Sequence, residues 1–166
     1  MSEPKVAILM GSDSDLEIMQ ETSKALEEFQ IPYTLQVLSA HRSPAQVSAF
    51  AGQASAKGFK VIICGAGGAA HLAGVVAAHT TLPVIGIPIN SSPLHGFDSL
   101  LATVQMPAGI PVATVAVGKA GAHNAGILAA QILALSDPAL AKKLAGFKQK
   151  LADSVEEKNK KLKLKV

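Results

Sequence analysis

The stretch Lys5-Val6-Ala7-Ile8-Leu9-Met10-Gly11-Ser12-Asp13-Ser14-Asp15 decides the fold. From Lys5 to Met10 the chain runs apolar without alternation, which marks a strand buried on both faces, and Gly11 to Ser14 turns it into a helix. Ser14 and Glu17 have the spacing of a capping box. Behind them Ile18, Met19, Thr22, Ala25, Leu26 and Phe29 recur every three or four residues, and Pro32 sets the latest point at which this helix ends.

The same unit repeats along the chain. A second strand over Tyr33 to Leu38 leads through Ser39-Ala40-His41-Arg42 to a helix with Ser43 as N-cap, Pro44 at its first position and Gln46 in the reciprocal capping position; Gly58 closes it. A third strand, Lys60 to Cys64, enters Gly65-Ala66-Gly67-Gly68 and a helix of small residues from Ala69 to His79. Val84 to Ile87 is a fourth strand, Asn90 to Gly109 is irregular or briefly helical, and Val112 to Val117 is a fifth strand. Gly118 to Gly121 then turns into a helix over Ala122 to Leu135. Alternation of buried strands with helices predicts an α/β protein of three layers, with a parallel sheet between two layers of helices. A last helix is capped by Asp137, begins at Pro138 and carries the stripe Leu140, Leu144, Phe147, Leu151 and Val155. We expect one domain over residues 1–166, with a core of about 5–135 and a helix and basic tail over 137–166.

Charge distribution narrows the function. Residues 142–166 hold nine of the fifteen Lys and Arg and three of the twelve Asp and Glu, so the tail carries +6 and the body −3. An acidic body with one Tyr and no Trp lacks the basic stripe and stacking platform of a nucleic-acid binder. The lysine-rich end is expected to fray. The N-terminus has no basic n-region, and its apolar run is too short for a signal peptide or membrane span, so a cytoplasmic protein is expected. The single cysteine, Cys64, allows no intrachain disulfide and suits a reducing compartment. Between Val61 and Gly118 the only charged side chain is Asp98. So few charges leave little solvent-facing surface, which predicts a homo-oligomer with the small-residue helix at an interface.

Ligands of open α/β sheets bind beyond the carboxyl ends of the strands, so the turns after the first three strands are the candidate site. Gly11 to Asp15 offers backbone N–H groups and the Ser12 and Ser14 hydroxyls at a helix start, suited to phosphate; helix capping alone would also account for those residues. Arg42 is the only arginine, and it follows a strand directly, where a planar guanidinium matches phosphate or carboxylate in two-point contact. His41 beside it can serve as acid and base in turn. His71 could reach the same crevice, whereas His79, His95 and His123 read as structural or surface residues. No spacing of these histidines suits a metal. Gly65-x-Gly67-x-x-Ala70 matches the dinucleotide fingerprint formally, but no carboxylate follows through Ser92, and no Walker sequence is present, so neither nicotinamide, flavin nor ATP chemistry is expected.

Taken together, Met10-Gly11-Ser12-Asp13-Ser14-Asp15, Ser39-Ala40-His41-Arg42, Gly65-Ala66-Gly67-Gly68-Ala69-Ala70-His71-Leu72, the segment Gln105 to Val112 and Gly118-Lys119-Ala120-Gly121 resemble class I 5-(carboxyamino)imidazole ribonucleotide mutases of purine biosynthesis. The likeness runs from about Val6 to Leu135. It implies a flavodoxin-like fold, an octamer, and a substrate whose carboxylate moves from the exocyclic nitrogen to ring carbon 4 without ATP, biotin or metal. By position His41 is the catalytic histidine. Ser12 and Arg42 match phosphate-binding residues, Asp15 a carboxylate at the ribose, and Gly67, Gly68, Ala69 and His71 the lining of the base and carbon dioxide pocket. Gly11, Ser39, Ala40 and Leu72 complete the implied substrate-binding set. His123 and His95 depart from the family's usual residues. The alternatives are an aminoimidazole ribonucleotide carboxylase, which takes carbon dioxide directly on the same fold, and a non-catalytic nucleotide-binding module. The segment Gly68 to Leu72 favours the mutase. A receiver domain is excluded, because its acceptor carboxylate belongs where Cys64 stands.

Overall fold

A computed structural model describes residues 3–163 of the chain. Five parallel strands, β1 (Val6–Met10), β2 (Tyr33–Val37), β3 (Val61–Gly67), β4 (Val84–Ile89) and β5 (Ala113–Thr114), lie in the order β2-β1-β3-β4-β5. The helices are α1 (Leu16–Glu28), α2 (Pro44–Ala54), α3 (Leu72–Ala78), α4 (Phe97–Val104), α5 (Gly118–Ala134) and α6 (Pro138–Lys163). This is the expected three-layer α/β/α arrangement with the flavodoxin-like strand order. The ends of the chain, including the last residues of the lysine-rich terminus expected to fray, lie outside the described residues. No helix among the described residues is long and apolar enough to cross a membrane.

The unbroken apolar strands are explained by what covers them. In β1, Val6, Ile8 and Met10 face one apolar layer and Ala7 and Leu9 the other; in β3, Val61 and Ile63 alternate in the same way with Ile62 and Cys64. The first layer is closed by α1, α5 and the start of α6, the second by α2 and α3. Thr103 of α4 and Ala73 of α3 both stand against Gly86 of β4, which places α4 on the second face. Each fully buried Val, Leu or Ile contributes about 1.5–3 kcal/mol relative to exposure, so the two layers fix the sheet between both sets of helices. Where α5 crosses α1, a Cβ on Gly126 would stand 2.7 Å from Ala25 Cβ and 2.9 Å from the Thr22 carbonyl, and Thr22 Oγ1 donates to the Ala122 carbonyl at 2.8 Å. Glycine therefore sets the separation of these two helices.

Several local expectations are corrected. The Ser14–Glu17 capping box does not form: a short 3-10 turn, Asp13–Asp15, precedes α1, and its cap is Ser12, whose hydroxyl accepts from the Ser14 N–H at 3.3 Å. Ser43 is the N-cap of α2 with Pro44 at the first helical position, as expected, but its hydroxyl makes no capping bond and turns back to Ser39, and no bond from Gln46 closes a box. Strand β3 continues through Gly65-Ala66-Gly67, because these residues pair with Ile87-Pro88-Ile89. Helix α3 starts only at Leu72, while α5 starts at Gly118 and takes in the predicted turn. The fifth strand is reduced to Ala113–Thr114 at the sheet edge. The Asp137 cap is as expected, its Oδ1 accepting from the Leu140 N–H at 3.0 Å. The α6 stripe is split: Leu140, Leu144 and Phe147 pack on the core, Phe147 edge-on to Phe29, whereas Leu151 and Val155 are exposed.

Candidate active site

The register of the sheet brings three loops together. The Leu38 N–H donates to the Met10 carbonyl at 2.9 Å, carrying the β1–β2 ladder one step past the strands, and the Gly11 N–H donates to the Gly65 carbonyl at 3.2 Å. The turns after β1 and β2 are thus anchored to neighbouring strands, and with the loop after β3 they enclose a cleft of about 310 Å³. Its lining contains Gly11, Ser12, Asp15, Ser39, Ala40, His41, Arg42, Gly67, Ala69, His71 and Leu72, all expected from the sequence. Gly68 is the exception: with φ of 57° it carries the chain round the turn and does not line the cleft. Ser91 joins the lining from the loop after β4 and was not anticipated, although the strand-end rule applies to β4 as well. A Cβ on Gly67 would overlap the Ser91 hydroxyl, so glycine is what lets the third and fourth loops meet.

The second loop is built to hold Arg42. The Ser43 hydroxyl donates to the Ser39 carbonyl and accepts from the Ser39 N–H, each at 3.0 Å, so the four-residue loop is closed on itself. The Ser39 hydroxyl accepts from the Arg42 N–H at 3.2 Å and from its Nε at 3.4 Å, while Arg42 Nη2 donates to the Gly11 carbonyl at 2.9 Å. Arg42 has no salt bridge among the described residues. The only arginine is therefore fixed by neutral acceptors at the cleft with no ion-pair partner among the described residues, a placement that suits recognition of an anion.

In the first loop the Gly11, Ser14 and Asp15 N–H groups already have acceptors, which narrows the backbone phosphate cradle expected from the sequence. The hydroxyls of Ser12 and Ser14, 2.9 Å apart, remain at the cleft beside the guanidinium. Asp15 is only 5% exposed. Burial lifts its pKa above the ordinary carboxylate value, an effect partly offset by polar groups of Ser12 and Ser14 and by the Arg42 charge. A carboxylate so placed is an acceptor for neutral donors such as hydroxyls, next to a cation suited to phosphate.

Nε2 of His41 lies 2.8 Å from Nδ1 of His71, with the rings nearly perpendicular at 87° and their centroids 4.9 Å apart. His71 precedes α3 and is held by its N–H to the Ala69 carbonyl at 2.8 Å. The remaining histidines are elsewhere. His79 Nδ1 is 3.5 Å from the Ser48 hydroxyl, His123 is on the side of α5 that faces Lys148 and Leu151 of α6, and His95 has φ of 52° in the loop before α4. No group of three or more metal-ligating side chains is assembled among the described residues.

The AIR carboxylase family model matches residues 5–154, which includes every strand and loop of this cleft. The chain belongs to the AIR carboxylase family. The family is also evident in individual relatives. The N5-carboxyaminoimidazole ribonucleotide mutase of Bacillus subtilis is 57% identical over 142 residues, 86% of this chain and 88% of the relative. That of Mycobacterium leprae is 53% identical over 157 residues, 95% of this chain and 91% of the relative. Among solved structures, Treponema denticola PurE superposes with a TM-score of 0.87 at 30% identity, covering 96% of this chain and 99% of that one. As an AIR carboxylase family member the chain has its cleft where the strand order reverses between β1 and β3, as physics alone would place it.

Proposed function

We propose that this chain is an N5-carboxyaminoimidazole ribonucleotide mutase, an isomerase of purine biosynthesis, and that its cleft holds the ribonucleotide with His41 as the acid and base. The observation that carries this reading is the union, in one cleft, of an arginine outside every ion pair of the described residues, a buried carboxylate and an accessible imidazole. Arg42 with the Ser12 hydroxyl would take the phosphate, and Asp15 would accept from the ribose hydroxyls. Gly11, Ser39, Ala40, Gly67, Ala69, His71 and Leu72 would form walls small enough for a planar heterocycle; Gly68 acts by shaping the turn.

In the proposed reaction protonated His41 gives its proton to the exocyclic nitrogen as the bond from that nitrogen to the carboxylate breaks. The bond electrons stay on nitrogen, leaving aminoimidazole ribonucleotide and carbon dioxide. Ring carbon 4 then attacks the enclosed carbon dioxide, and its proton returns to His41. The test is an ultraviolet assay of the purified protein with N5-carboxyaminoimidazole ribonucleotide, without ATP or metal, beside His41→Asn. Conversion by wild type alone supports the reading. Because the family's description names a carboxylase, aminoimidazole ribonucleotide with bicarbonate is the control, and turnover there without turnover of the mutase substrate would assign the carboxylase instead.

The same proposal treats residues 1–166 as one domain, supported by the docking of Leu140, Leu144 and Phe147 on the core. It includes a homo-octamer, supported by the exposed Phe97, Leu101 and Val104 of α4 with Leu94 in the loop before it, and by Leu151 and Val155 on α6. A monomer mass by light scattering would remove that part. The cytoplasmic setting belongs to it too, and the buried free thiol of Cys64 suits it.

A further inference from the structure

We propose that His71 is a positioning residue: its Nδ1 lone pair accepts a hydrogen bond from Nε2–H of His41, which fixes the His41 ring and leaves His41 Nδ1 as the nitrogen that gives and takes the proton. The role rests on the assignment of His41 as acid and base. At 2.8 Å one of the two facing nitrogens must donate and the other accept. The near-perpendicular rings allow this, since the in-plane N–H of one ring can point at the lone pair of the other. Two neutral tautomer arrangements satisfy the pair, and the chemistry selects between them. When His41 is protonated both its nitrogens carry hydrogen, so His71 Nδ1 has to be the acceptor. Passing Nδ1–H to the substrate nitrogen then leaves neutral His41 still donating from Nε2, with a bare Nδ1 ready for the proton of ring carbon 4. Nε2–H is untouched in both transfers, and no ring has to flip between them. A partner that fixes the tautomer of a working histidine is most often a carboxylate or a carbonyl. Here the sequence separation of 30 residues is closed by the pairing of β1 with both β2 and β3, which sets the two loops side by side.

The test compares wild type with His71→Phe, which has no acceptor, and His71→Asn, whose side-chain oxygen can stand near the place of Nδ1. Both rings are exposed to the cleft, so folding should survive, checked by circular dichroism. We expect His71→Phe to lower kcat by about 10- to 100-fold, more than it changes KM, and His71→Asn to recover most of kcat. Nitrogen-15 shifts of labelled histidine should show the Nε2–H tautomer of His41 in wild type and a mixture in His71→Phe. An unchanged His41 tautomer in His71→Phe, a loss confined to KM, or equal impairment of both variants would overturn the role. The nitrogen shifts need no substrate, so an inactive wild type would sink the functional reading while leaving the pair itself to be judged on them.

Discussion

Arg42 Nη2 donates to the Gly11 carbonyl at 2.9 Å, so the only arginine of the chain is tethered by the loop after β1 although it belongs to the loop after β2. A lysine cannot make this bond, keep the contact with Ser39 and still present donors to a ligand, because its ammonium is a single point. Arg42→Lys should raise KM by about 10- to 100-fold, from the roughly 1.5–3 kcal/mol of a charge-assisted hydrogen bond, with kcat much less affected. Inorganic phosphate should also inhibit the variant more weakly than wild type. Unchanged KM and phosphate inhibition would remove Arg42 from the anion site.

For His41 the expected effect is on turnover. A positioned acid and base contributes about 10²- to 10⁴-fold, so His41→Asn should lose that much of kcat and still bind the nucleotide. Calorimetric titration with product would check binding separately, and full turnover by the variant would end the assignment.

Asp15 sets stability against binding. Burial raises its pKa, so the folded protein keeps this proton to higher pH than the unfolded chain does. Stability therefore falls as pH rises from the ordinary carboxylate pKa through the raised one, and the whole penalty is present above it. Asp15→Asn should raise Tm at neutral pH, with the gain vanishing in acid below the ordinary carboxylate range, and should weaken nucleotide binding. A Tm difference that stays the same from acid to neutral pH would contradict this.

Gly126 tests the packing that supports the site from below. A methyl group there meets Ala25 Cβ and the Thr22 carbonyl, and α1 carries the first loop at its start. Overpacking of this kind costs about 1–3 kcal/mol, so Gly126→Ala should unfold at lower denaturant with an unchanged slope. No change in midpoint would mean that α1 and α5 separate without cost.

Where an element depends on neighbours in sequence, its reading from the chain was good. The strands β1 to β4 appear as apolar runs because both faces are covered, and the start of α6 appears as Asp137-Pro138 because a cap is a local device. Ser14 and Ser43 suit caps on the same local grounds, and Ser43 does stand at the N-cap of α2, yet their hydroxyls are drawn to Ser12 and Ser39, partners that compete with the helix ends. The glycines of β3 and those at the start of α5 read as turns. Pairing with β4 made the first group strand, and the second forms the first turn of α5, where Gly118 and Gly121 are buried and Lys119 Nζ donates to Glu17 of α1.

Residue types and their order thus determined the class of fold, the three loops and nearly all of the cleft, since ligand groups cluster at strand ends whatever the details of packing. Only the tertiary structure decided that Ser91 enters the cleft, that Gly68 leaves it, that Arg42 is unpaired among the described residues and tied to Gly11, and that His41 meets His71. Each of these depends on the distance and direction between side chains on different strands. Such distances are set by the register and twist of a sheet, and no single segment of sequence carries them.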